Sequence, residues 1–257
     1  VNEFRARGYL PEAIVNYVAM LGCSYEEGRD MFPMEDLERL FKMEHLNKAG
    51  AVFDYKKLEW FNGQYMRLKT DEELYNAVLP FITGTGDALL EINPENPQPK
   101  PNVGPEFSGV ALGEDGEPYC VDKSMNMSSA DVKKTLMGLM PLIQERLKFL
   151  TEAAEMVHFM FTEPAVPPAD QIIPKRIDAA KTKEVLEVAK EFVHKCFELD
   201  HEQAEEFAKA KAEELGIKLG DFMMPIRMAV TGSRVSPPLI GSITVLGEAR
   251  SLERIDR

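Results

Sequence analysis

His194, Cys196 and His201 fall within eight residues and carry the donor atoms a zinc site needs. On one continuous helix, however, residues two apart face away from each other, so solvated or half-buried side chains are expected there and no metal. The segment GTGDALL at 84–90 has two glycines but lacks the lysine and the spacing of a phosphate cradle. No Ser, His and Asp set stands at a recognisable spacing, and the abundant methionines fall at helical intervals that suit core filling. No catalytic constellation emerges. What remains is a set of cations and one stiff loop. Residues 234–239 read RVSPPL, an exposed, proline-stiffened loop that presents backbone groups at low entropic cost. Residues 225–257 hold five bases and three acids, among them Arg227, Arg250 and Arg254. Arg250 and Arg254 are four apart on one helical face, which suits a clamp on a phosphate backbone or a solvated stripe equally. Lys57 and Arg67 flank Trp60 and are candidate phosphate contacts, whereas Trp60 and Tyr65 are expected in the core.

The balance of charge limits what these cations can bind. The 257 residues carry 43 acids against 30 bases, a net charge of −13, so bulk electrostatics will not hold a nucleic acid. The acidity sits in the middle: residues 71–165 carry 16 acids and 6 bases, while residues 1–70 carry 11 and 10 and residues 166–257 carry 16 and 14. A polyanion should touch the ends and avoid the middle. Three scattered cysteines without a CxxC pair, and no leader, fit a reducing cytoplasm. No apolar stretch approaches the ~20 residues of a membrane span. The chain opens on Val1 rather than Met, as a piece of a longer protein would.

Helical periodicity places these residues. Pro11 opens a helix ending at Gly22, with Ile14, Val15, Val18 and Leu21 expected inward. Helices follow at 34–43, with Leu37, Leu40 and Phe41 inward, at 54–66 behind an Asp54 cap, and at 71–83. Residues 84–128 are rich in Pro and Gly and lose the helical period. They read as a long inserted loop, with a hairpin around the Asp115–Gly116 turn signal. Ser129 is expected to cap 130–138 and Pro141 to start a long helix reaching Phe161. Residues 164–168 form a linker, and helices resume at 178–198, 200–215, 221–230 and 249–257, with 231–242 a loop. The fold class is all-α.

Three segments carry a family resemblance. EFRARGYLPEAIVNYVAMLGCS (3–24), VFDYKKLEWFNGQYMR (52–67), and MPIRMAVTGSRVSPPL (224–239) continuing into ITVLGEARSLERI (243–255) resemble the C-terminal half of bacterial glutamyl-tRNA synthetases, class I enzymes. PLIQERLKFLTEAAEMVHFMF (141–161) resembles the helix that opens their anticodon-binding part. The resemblance implies a stem-contact helical domain at 1–68 and anticodon-binding subdomains at 69–165 and 166–257, the first holding the insertion at 84–128. It implies that Arg234, Ser236, Pro237 and Leu239 meet the first anticodon base. It also implies that Arg146 reads the third by presenting a fork of donors to a base edge, with Gln144, two residues away, the alternative reader. The partners implied are the tRNA for glutamate, with the tRNA for glutamine left open; DNA and membrane are not expected, and a monomer is. ATP and magnesium belong to the whole enzyme. The HIGH-type and lysine-loop signatures that handle ATP are not in this sequence, so no cofactor and no activity are expected of these residues alone. The competing reading is a free-standing helical interaction module with an acidic binding face.

Overall fold

The computed structural model describes residues 1–23, 25, 28–46, 50–86 and 101–257. These form fourteen α-helices and one two-stranded hairpin, in two compact units. The first unit comprises Val1–Val121 with Ile143–Glu155, and the second comprises Asp122–Leu142 with Met156–Arg257.

In the first unit, α1 (Asn2–Ala6), α2 (Pro11–Gly22), α3 (Met34–Leu40), α4 (Tyr55–Leu68) and α5 (Asp71–Thr83) precede a short α6 (Pro105–Ser108). Local chemistry sets several ends. Asp54 accepts from the backbone N–H of Lys56 and Lys57, and Thr70 with Glu73 closes a reciprocal capping box on α5. Gly84 closes α5 at φ 67°, and a Cβ there would stand 3.0 Å from Gly104 Cα. The GTG segment is therefore a helix stop packed on backbone. Of the expected inserted loop, residues 87–100 lie outside the described residues. The rest holds α6 and a hairpin, β1 (Val110–Leu112) antiparallel to β2 (Pro118–Cys120), with Val110 opposite Cys120.

The buried side of α2 differs from the expected aliphatic stripe. Ala13, Asn16 and Tyr17 are buried, while Val18 is 50% exposed. The reason is polar. Asn16 Oδ1 accepts from Phe32 N at 2.8 Å and Nδ2 donates to Asp30 O at 3.0 Å, and Tyr65 Oη adds a third bond to Asn16. A buried amide with this many partners fixes the helix's rotation against α4, and Tyr17 packs edge-on to Phe53 and beside Phe61. Trp60 is 45% exposed and Phe41, beyond the end of α3, is exposed as well, so both leave the expected core. Tyr65 is half-buried.

In the second unit, α7 (Ser129–Ile143) contributes all but its last residue. Its cap is Ser128, not Ser129: Ser128 Oγ accepts from Asp131 N, and the Asp131 carboxylate accepts from Ser128 N. The helix runs through Pro141 and ends two residues later, so no helix starts at Pro141 and no single helix spans 142–161. A 3-10 turn at Leu150–Glu152 leads into α8 (Ala153–Phe161), which crosses between the units at Glu155–Met156. After α9 (Ala169–Ile172) come α10 (Ala179–Glu198) and α11 (His201–Glu214), each capped by an aspartate, then α12 (Leu219–Thr231), α13 (Leu239–Leu246) and α14 (Glu248–Ile255). α13 lies partly inside the expected 231–242 loop. Phe192, Phe222, Ile226 and Ile243 are completely buried in this unit.

Candidate functional site

In the first unit Gln144 and Arg146 lie on the turn between α7 and α8, while Lys57 and Arg67 lie at opposite ends of α4. Residues 144–149 are not helical, so their backbone groups need partners. Arg146 N and Leu147 N both donate to Ile143 O, at 2.8 and 3.0 Å. Glu152 accepts from Lys148 N at 2.7 Å and Phe149 N at 3.1 Å. Asn62, fully buried in α4, accepts from Leu10 N at 2.7 Å and donates to Lys148 O. Gly8 completes the junction at φ 80°; a Cβ there would stand 2.7 Å from Leu150 N and Thr151 N, and its carbonyl accepts from Leu150 N.

Arg146 stands exposed on this pinned turn, its side chain with no hydrogen-bond or ion-pair partner among the described residues. Gln144 is different. Its Nε2 donates to Met66 O at 3.1 Å and Lys69 O at 2.5 Å, the carbonyls at the end of α4. Both amide hydrogens are thereby used, leaving only the side-chain oxygen to accept. Arg67 is exposed on the same end of α4, and Lys57, also exposed, lies 3.8 Å from Asp30. Two exposed charges at that distance bind each other weakly, so Lys57 remains available to a phosphate.

In the second unit, the 234–239 segment is exposed only at its start. Arg234 faces solvent with Nη2 on Gln171 O at 3.2 Å, and Val235 is 74% exposed. Ser236, Pro237 and Leu239 are buried, the last opening α13. Arg227 holds this half of the loop, donating to Ser236 Oγ and, at 2.8 Å, to Pro237 O. The expected exposed loop is thus a two-residue tip on a buried stem. Arg250 is half-buried and donates to Met160 O at 3.2 Å. Arg254 is only 3% exposed. Its guanidinium donates to Glu163 (3.0 Å), Val230 O (2.6 Å), Phe159 O (2.8 Å) and Thr162 O (3.1 Å). Burial draws its pKa down to about 10, against the opposing pull of Glu163, so it remains a cation at neutral pH. Neither alternative expected for Arg254, a phosphate clamp or a solvated stripe, matches this position; it ties the ends of α8 and α12 together.

His194 Nδ1 lies 2.6 Å from Glu248 Oε1 on the surface, and burial pushes the Cys196 thiol up to about 12. No group of three or more His, Cys, Asp and Glu side chains converges among the described residues. The sequence places Asn62 beside Trp60 and offers Glu152 as an ion-pair partner for Arg146, but it gives neither a role in fixing this turn. The only signal for the former was a polar residue between Phe61 and Gly63 on the inward side of α4.

A family described as "Anticodon binding domain" matches residues 111–257, and one described as "tRNA synthetases class I (E and Q), catalytic domain" matches residues 1–60. The glutamate–tRNA ligase of Treponema denticola is 52% identical over 256 residues, covering 100% of this chain and 47% of that protein. The ligase of Treponema pallidum is 45% identical over 99% of this chain and 45% of its own length, and that of Borreliella burgdorferi 33% identical over the same shares. The chain thus spans about half the length of the curated relatives it matches. The crystal structure of a glutamate tRNA ligase from Elizabethkingia meningosepticum shares the fold, with a TM-score of 0.56 and 23% identity over 97% of this chain and 41% of that one. No helix among the described residues is long and apolar enough to cross a membrane. Homologous from end to end to about half of a glutamate–tRNA ligase, this chain belongs to the anticodon binding domain family.

Proposed function

We propose that this chain is the tRNA-selecting part of a cytoplasmic enzyme that attaches glutamate to its tRNA. Residues 1–68 contact the stem, and 69–165 and 166–257 form the two anticodon-binding subdomains. The observation that carries this reading is the anticodon-binding match over 111–257, which encloses the two candidate base readers, Arg146 and Arg234, each of them exposed. Arg146 reads the third anticodon base with a guanidinium that no described residue engages, and an arginine fork suits the acceptor edge of an unstacked base. Arg234 and Val235 meet the first base, on a stem shaped by Ser236, Pro237 and Leu239. Lys57 and Arg67 take phosphates. Arg227, Arg250 and Arg254 hold the second unit together, and their guanidiniums already face protein acceptors.

The whole enzyme would use ATP with magnesium. The residues present do not fit that pair: of the glycines nearest a cradle, Gly84 stops a helix and packs against Gly104, and Gly86 lies against Pro80. No step through ATP is assigned to this chain, and it is inactive alone. It acts as a monomer that binds neither DNA nor membrane.

Fluorescence anisotropy with labelled tRNA for glutamate tests the reading, run at ~50 and ~200 mM salt. A glutamine tRNA and an anticodon-altered glutamate tRNA serve as comparisons. The expected result is saturable binding that weakens when the anticodon changes. Equal affinity for the altered tRNA would remove the anticodon-reading role.

A further inference from the structure

The turn bearing Arg146 is held at both ends, and the two holds differ in kind. At residues 148 and 149 it is fixed by Glu152 and by the buried Asn62, whose other bonds organise the core of the first unit. At residue 144 it is fixed by a single half-buried side chain, the amide of Gln144 on the two carbonyls that end α4. We propose that Gln144 is a positioning residue: it sets the angle at which Arg146 meets an anticodon base and makes no base contact of its own. The proposal rests on Arg146 being a base reader.

The geometry supports this division of labour. Met66 and Lys69 lie in and just past the last turn of α4, where the regular helical donors run out; Met66 O keeps a 3.3 Å bond from Lys69 N, and the Gln144 amide adds a second. The Gln144 amide supplies donors there, and so attaches the start of the turn to a helix that Asn62 has already fixed. Arg146 follows two residues later, its own backbone N–H bound to Ile143 O. A forked guanidinium discriminates only when both its bonds are aligned. A small rotation about residue 144, carried through a long side chain, misaligns it. With both hydrogens on backbone carbonyls, Gln144 has no donor left for a base.

The test compares affinities of the 257-residue chain for a tRNA-glutamate transcript and its third-anticodon-base variant. Wild type is measured beside Gln144→Glu, Gln144→Lys, Arg146→Ala and the double variant Gln144→Glu/Arg146→Ala, each checked by thermal melting. Gln144→Glu keeps the shape, removes both donors and sets a carboxylate against two carbonyls. Gln144→Lys restores a donor. The expected result is that Arg146→Ala abolishes the preference and that Gln144→Glu lowers it about tenfold, the scale of two lost hydrogen bonds. Gln144→Lys recovers most of it, and Gln144→Glu has no further effect once Arg146 is gone. If Arg146→Ala abolishes the preference and Gln144→Glu leaves it within about twofold, the positioning role is wrong. Independent, multiplicative effects would make Gln144 a reader and overturn the proposal. An unchanged preference in Arg146→Ala would instead overturn the premise about Arg146.

Discussion

Replacing Arg254 with alanine is expected to destabilise the second unit by about 3–4 kcal/mol, toward the low end for breaking a buried ion pair. The side chain is 3% exposed and donates to one carboxylate and three backbone carbonyls. At about 1.5–3 kcal/mol per charged hydrogen bond the gross sum is roughly 6–12 kcal/mol, but such bonds are not additive and burying the guanidinium costs much of it. Glu163 is not orphaned, because Arg257 stays 2.6 Å away. The loss therefore falls on the carbonyls of Phe159, Thr162 and Val230, at the ends of α8 and α12. Arg254→Lys keeps the charge but not the fork, and should cost about half as much. Urea denaturation followed by circular dichroism gives the magnitude, and hydrogen exchange of peptides from α8, α12 and α14 gives the location. The reasoning fails if Arg254→Ala stays within about 0.5 kcal/mol of wild type with exchange unchanged. It fails equally if the variant leaves stability intact while lowering the salt dependence of tRNA binding by about one phosphate's worth, the signature of a backbone contact.

Gly8→Ala should cost about 2–4 kcal/mol in a urea melt, since a Cβ at φ 80° meets two backbone nitrogens at 2.7 Å. Arg234→Ala should leave the melt unchanged while lowering affinity for the glutamate tRNA roughly tenfold, measured by anisotropy. The Ser128 hydroxyl and backbone N–H hold Asp131 below the ordinary aspartate pKa. The folded value lies below the unfolded one, so this support for α7 is complete above the unfolded pKa and is lost as pH falls through the folded value. Carboxyl NMR titration should find Asp131 returning toward its ordinary value in Ser128→Ala. Cys196, buried and pushed up to about 12, should resist iodoacetamide in the native chain and react once unfolded.

The residues at helix ends were legible in the sequence because their signals act within a turn. Pro11 opens α2 and Asp54 caps α4 as expected, and the cap of α7 falls on Ser128, one residue before the expected Ser129. The three collinear motifs also carry the family resemblance in the sequence alone. Tertiary contacts decided which side chains are free to bind. Asn16 turned α2 toward a polar bond with Phe32 rather than toward its aliphatic stripe. Gln144 and Arg146, two residues apart, differ because carbonyls 75 and 78 residues away in sequence claim the side chain of the first and no described residue claims that of the second. Arg234 and Arg254 look alike as basic residues near the chain's end, yet one lies on a loop tip and the other faces acceptors 24 to 95 residues distant. Period and composition carry no information about partners at such separations. Burial is a property of what packs against a residue, so only the folded chain could separate the arginines that hold the structure from those left exposed.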